Sequence, residues 1–168
     1  LSPNVNIAAR LASSTSQFQT QMLLSEDIYN MASAGAREKL RVIDKVTLKG
    51  SQKPLKLVVF DIHNWPDRNQ HFLEPRFDEY GRQEPISFAS NAEIAALRLG
   101  ISAEFFTEFD ASVSHYIMGK WKIARSHLQK ALSYFPDDGP GLALYDAMKR
   151  HHFQAPANWK GYRKLTEK

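Results

Sequence analysis

The rhythm of hydrophobic and polar positions changes three times along the chain. In Asn4 to Thr15, NVNIAARLASST, the apolar residues fall at helical spacing. Asn6 and Arg10, four residues apart, lie one above the other on a single helical face. Val5 and Ala9 flank that face on one side and Ile7 and Leu11 on the other, so an amide and a guanidinium sit between two apolar borders, as donors aimed into a pocket or an interface would. Next, TQMLLSEDIYNMAS predicts a short buried strand, Gln21 to Leu24, followed by Ser25 as the cap of a helix through Asp27, Ile28, Tyr29 and Met31. KLRVIDKVTLKG alternates imperfectly along Leu40, Val42, Lys45 and Thr47. Gly50 and Ser51 then turn into PLKLVVFDI, a β-rich run. This first stretch, to about Ile62, reads as α/β.

From His63 to about Asn91 the period disappears among prolines and scattered aromatics. Trp65, Phe72, Phe77 and Tyr80 are too apolar for a free tether, so the segment reads as an ordered linker wrapped over a surface. From Ala92 to Lys168 the pattern is helical. Ile101, Phe105, Phe106 and Phe109 lead into Val113, Tyr116 and Ile117, and Gly119 ends that helix. Trp121, Ala124, Leu128, Ala131 and Leu132 share one side of the next, which stops at Pro136. The spacing of Tyr116, Gly119, Ala124, Ala131, Leu132 and Pro136 resembles one tetratricopeptide-like helical hairpin. One repeat cannot make a solenoid, and a third helix, roughly Gly141 to His151, introduced by PDDGP, is expected to cover the open face.

With 168 residues, 43% of them hydrophobic, the chain suffices for one ordinary domain or two small ones. No apolar run approaches the roughly 20 residues that span a bilayer, and no basic-then-apolar leader is present, so the piece reads as soluble. The absence of cysteine rules out disulfides and thiolate metal sites and suits a cytosolic setting. A helix signature that starts almost at Leu1, with nothing ahead of it to pack against, is expected of a fragment of a longer chain. The net charge of +4 is local: from Lys149 onward six Lys or Arg face only Glu167. Without interleaved stacking residues this reads as a solvated basic helix end rather than a nucleic-acid surface. Asp137 and Asp138, beside Gly139 and Pro140, read as turn formers and a helix N-cap rather than metal ligands. The adjacent His151 and His152 cannot share a helical face, which argues against a ligand pair.

The run VNIAARL resembles the signature of the class III nucleotidyl cyclases, the adenylyl and guanylyl cyclase catalytic domains, which reads Val-Asn-x-Ala-x-Arg. The likeness continues through LLSEDIY and through IDKVTLKGSQKPLKLVVFDI, which looks like that family's lysine-glycine hairpin and final strand. PDDGP and the Trp159 to Gly161 segment are similar to a helical extension of protist and bacterial cyclases. The resemblance implies an α+β fold, with residues 1–62 the C-terminal part of a ferredoxin-like cyclase domain. Residues 63–91 would be an ordered linker and 92–168 a tetratricopeptide-like extension that packs on the cyclase core or binds a partner protein.

What the family does would follow. ATP or GTP would be converted to a 3′,5′-cyclic nucleotide and pyrophosphate, with Arg10 stabilising the α-phosphate in the transition state, Asn6 orienting the ribose and Lys49 meeting the terminal phosphates. The logic is chemical: charge shifts across the phosphates during the displacement, and a guanidinium fork suits phosphate. The Mg²⁺ or Mn²⁺ ligands of the family, two aspartates, belong to the part that would precede Leu1, as does the residue that selects ATP over GTP. A second cyclase domain would complete the active site, and this chain alone is expected to be inactive. The parent would be a larger protein with this portion in the cytosol, of a kind that is often membrane-anchored or ciliary. A rival expectation is a catalytically silent cyclase-like scaffold in a larger assembly; a pure helical-repeat adaptor is disfavoured by the α/β first part.

Overall fold

The computed structural model describes residues 3–48, 53–63, 77–84, 88 and 91–165. Helix α1, Pro3–Ser14, turns Leu11 and Ser14 inward. The hydroxyls of Ser13 and Ser14 both donate to the Arg10 carbonyl, at 2.9 and 2.7 Å, taking up an acceptor of the last turn where the helix tightens into a 3-10 turn, Thr15–Phe18. Strand β1 is only Leu24–Ser25. The Ser25 side chain then accepts from the Ile28 backbone N–H at 3.4 Å and starts α2, Glu26–Met31. A one-turn helix α3, Ala34–Arg37, is capped by Ser33 in the same way.

Strands β2, Leu40–Thr47, and β3, Leu55–Phe60, pair antiparallel from Leu40 opposite Phe60 to Val46 opposite Leu55. Their register shifts between Val42 and Asp44, and the bulge lets Ile43 and Asp44 both be buried. That is why the alternation of this segment is imperfect. Helices α4, Ala92–Leu97, α5, Ala103–Ile117, α6, Trp121–Tyr134, and α7, Gly139–Lys149, follow. A last strand β4, Arg163–Lys164, lies parallel to β2 at Val46 and Thr47, giving the sheet order β1-β3-β2-β4. The fold is thus mixed α+β, with a four-stranded sheet and several helices.

The hairpin of α5 and α6 forms as its spacing predicts. Gly119, at φ +77°, turns the chain after α5. Buried Ser112 donates to the Ala124 carbonyl across the two helices at 2.9 Å. The Trp121 indole N–H donates to the Tyr116 carbonyl at 3.0 Å. One contiguous core runs through the whole molecule: Leu11, Phe18, Ile43, Val46 and Leu57 pack in the same cluster as Phe105, Phe109, Trp121, Leu128 and Met148.

Three expectations differ from the fold. The buried strand expected over Gln21 to Leu24 is instead the two-residue β1, with Gln21 and Met22 exposed, because only Leu23 of that run reaches the core. The chain beyond Lys149 is not a helix end. His152 and Phe153 take positive φ, and the chain crosses back to the sheet, with the Trp159 indole donating to the Ile117 carbonyl at 3.0 Å. In the segment from His63 to Asn91, Phe77 and Tyr80 do not wrap a surface; they are 59% and 73% exposed. They sit on a small turn closed by an antiparallel bridge between Phe77 and Gln83. Asp78 accepts from the Tyr80 and Arg82 backbone N–H groups there. Trp65 and Phe72 lie outside the described residues.

Candidate functional site

Asn6 and Arg10 share a face of α1 that is exposed at Asn6 and partly covered at Arg10, whose Nη1 is buried. Asn6 is exposed and Arg10 half-buried; Val5, at 49% exposure, and Ala9 border them on the solvent side, while Leu11 is buried in the core. The arrangement follows from the helix itself. With Leu11 and Ser14 turned inward, residues 6 and 10 fall about a quarter-turn away from the buried stripe, one turn apart along the axis. The 3-10 turn after α1 ends at Gln19, whose φ of 47° is left-handed, and buried Phe18 anchors that turn in the core. Lys49, the third expected site residue, lies outside the described residues, so only Asn6 and Arg10 are seen together.

Around the opposite side of α1 runs an apolar groove of about 420 Å³, lined among others by Ile7, Leu11, Met22, Leu24, Ile28 and Met31. Met31 is 82% exposed and Ile28 49%, a concentration of apolar surface on the far side of α1 from Asn6 and Arg10. Among the described residues no three His, Asp or Glu side chains converge to hold a metal ion. The metal ligands that the cyclase resemblance implies would not be residues of this segment. No described helix is long and apolar enough to cross a membrane.

The electrostatic centre of the molecule lies elsewhere, and the sequence reading missed it. Arg41, on β2, is buried between two carboxylates. Its Nε donates to both oxygens of Asp61 at 3.1 and 3.2 Å. Its Nη1 and Nη2 donate to the two oxygens of Asp138 at 3.1 and 2.8 Å. The guanidinium also lies over the rings of Phe109 and Phe105, 4.2 and 5.0 Å from their centroids. Burial alone would push this guanidinium's pKa down, but the charges and hydrogen bonds of Asp61 and Asp138 outweigh it and push it up, so the group is a fixed cation. Asp138 does a second job: its Oδ2 accepts from the Gly141 backbone N–H at 2.8 Å and caps α7. That cap was legible in PDDGP; the ion pair was not.

A second interior pair joins the tail to the sheet. Arg163 Nε donates to Asp44 Oδ2 at 2.7 Å, and Asp44 also accepts from the Lys45 N–H at 2.7 Å. Burial opposes the Arg163 charge, while Asp44 holds it. These two ion pairs bind the helical part and the tail to the sheet, and neither presents a free reactive group. Their chemical role is orientation.

One signal could have flagged them. Asp61 ends an apolar run, and a charge in such a position demands a partner; Arg41 and Asp44 are three apart, so no single alternation turns both inward and only the bulge between Val42 and Asp44 does. No family model, no curated protein and no solved structure matches the chain.

Proposed function

We propose that this chain is the C-terminal part of a class III nucleotidyl cyclase domain joined to a tetratricopeptide-like helical extension, and that α1 presents Asn6 and Arg10 to a nucleoside triphosphate held between it and a second cyclase domain. The observation that carries this reading is the spacing on α1, where exposed Asn6 and half-buried Arg10 lie one turn apart on one face, between exposed Val5 and Ala9 on one side and the buried stripe on the other. A face sealed by the chain's own apolar side chains would have left no room for a nucleotide.

In this reading the ribose 3′-oxygen attacks the α-phosphorus, a new P–O bond forms, the bond to the β-phosphate oxygen breaks and pyrophosphate departs. Arg10 meets the charge that develops at the α-phosphate, Asn6 holds the ribose, and Lys49 approaches the terminal phosphates. A divalent metal would supply charge neutralisation at the phosphates, and its ligands in this reading would belong to a part of the parent outside residues 1–168. The chain by itself supplies one side of a site, a phosphorus-oxygen lyase half, and is inactive alone.

The test is cyclic nucleotide production by the full-length parent with Mn²⁺ and either ATP or GTP, wild type against Arg10→Ala. A loss of about a hundredfold in the variant supports the transition-state role, because that is the usual effect of removing one preorganised donor. A folded wild-type parent that makes no cyclic nucleotide overturns it and leaves the scaffold reading. The apolar groove beside α1 and α2, with Met31 and Ile28 exposed, is the feature that favours that second reading.

A further inference from the structure

The guanidinium of Arg98 is the odd member of the interior. It follows α4, lies over the Phe106 ring at 4.3 Å from the centroid, and its Nε is buried with no hydrogen-bond partner. Arg41 and Arg163, by contrast, are each matched to aspartate. Among the described residues Arg98 makes no ion pair, and it lines a cleft of about 350 Å³ together with Leu40, Ile101, Ala103 and Phe106. Burial pushes its pKa down; Asp61 opposes this and the charge of Arg41 adds to it. A half-buried donor left without an acceptor is costly, and such a group is matched by whatever occupies the space beside it.

The same cleft is lined by two carboxylates, Glu38 and Asp110, neither of which forms an ion pair with Arg98 or with any other described residue. Arg41, the other cation on its wall, is saturated by Asp61 and Asp138. The cleft therefore offers a cation without a direct ion pair, two carboxylates without one, and an apolar wall. A polyanion such as a phosphate ester would meet Arg98 but be repelled by Glu38 and Asp110. A ligand with one carboxylate, one ammonium and an aliphatic body matches all three surfaces.

We propose that this cleft binds a small zwitterion of the α-amino-acid class, its carboxylate on Arg98, its ammonium toward Asp110 and Glu38, and its side chain against Leu40, Ile101 and Phe106. The site is separate from the α1 face and does not depend on the cyclase reading.

The test is a titration of this chain, followed by amide NMR shifts, with L-leucine, with isocaproate, which lacks the amine, with isoamylamine, which lacks the carboxylate, and with inorganic phosphate. L-leucine is expected to shift amides around Ile101 and Phe106, and the two half-ligands to bind about tenfold more weakly or worse. Arg98→Gln should weaken L-leucine by a similar factor. Asp110→Asn, at an exposed position, should weaken L-leucine while leaving isocaproate unchanged. Three results would each overturn the proposal: no amide shift with L-leucine, binding of phosphate or isocaproate as tight as that of L-leucine, or an Asp110→Asn variant that binds L-leucine like the wild type.

Discussion

Arg41 gives up its hydration for two carboxylates and two aromatic faces, and the consequence of removing it differs from that of removing a surface charge. Arg41→Ala leaves Asp61 and Asp138 facing each other in the interior with no cation between them. Loss of one partner from a buried ion pair costs about 3–5 kcal/mol, whereas a solvent-exposed pair such as Arg82 with Asp78 is screened by water and contributes little. Urea unfolding should therefore show Arg41→Ala strongly destabilised and Arg82→Ala nearly unchanged. The pairing also explains what could be seen beforehand. Asp138 as a cap is a local matter, settled by Gly141 three residues on. Its partnership with Arg41 spans 97 residues, and that of Asp61 with Arg41 spans 20. Asn6 and Arg10 were legible because a helix fixes the relation of residues four apart; the triad was not, because nothing local joins its members.

Helices α5, α6 and α7 were legible as elements, since each buries a stripe that repeats with the helical period and each ends at a turn signal. Trp121 is the keystone of the hairpin: it is buried, stacks on Tyr116 at 5.3 Å and meets Trp159 edge-on at 5.0 Å. Trp121→Ala should cost about 3–5 kcal/mol through the cavity it opens, read as a lower thermal midpoint. The tail was misread because six basic residues suggested a solvated helix end, while the contacts that place it are distant in sequence: Arg163 pairs with Asp44, 119 residues back along the chain, and Trp159 bonds to Ile117, 42 residues back. The hairpin also carries a pH-sensitive link. Glu108 on α5 sits 2.6 Å from His127 Nδ1 on α6, and that hydrogen bond holds the Glu108 carboxyl below its ordinary value of 4.5, with Lys130 adding to it. An acid whose folded pKa is depressed contributes stability above its unfolded pKa and loses it as the pH falls through the folded one. Glu108→Gln should lower the melting temperature at pH 6, and the gap from wild type should close progressively below pH 4.5. A gap that stays constant down to the acid limit would mean that the link does not act through the carboxylate charge.

The first 62 residues and the helical remainder differ in pattern, which is why the sequence divides so readily, yet in the folded molecule they share one core and two interior ion pairs. The contact that makes this most specific is at Gly139, the first residue of α7. A methyl group built there would collide with the Phe18 carbonyl oxygen and lie 2.5 Å from the Gln19 Cβ, both in the turn that follows α1. Neither obstacle can swing away cheaply, since one is backbone and the other is the first carbon of a side chain. Gly139→Ala should therefore cost about 1–3 kcal/mol by overpacking, although the backbone conformation there would accept alanine. If the sheet and the helices unfold as one cooperative unit, the loss must be felt in both. Hydrogen exchange of the most protected amides, in Val46 and Val58 on the sheet and in Leu128 on α6, should report one common opening energy in the wild type, lowered by the same amount in Gly139→Ala. A variant in which only the helical amides lose protection would show that α5 to α7 open on their own, with the Arg41 and Arg163 pairs acting as a latch between two separable units rather than as parts of one core.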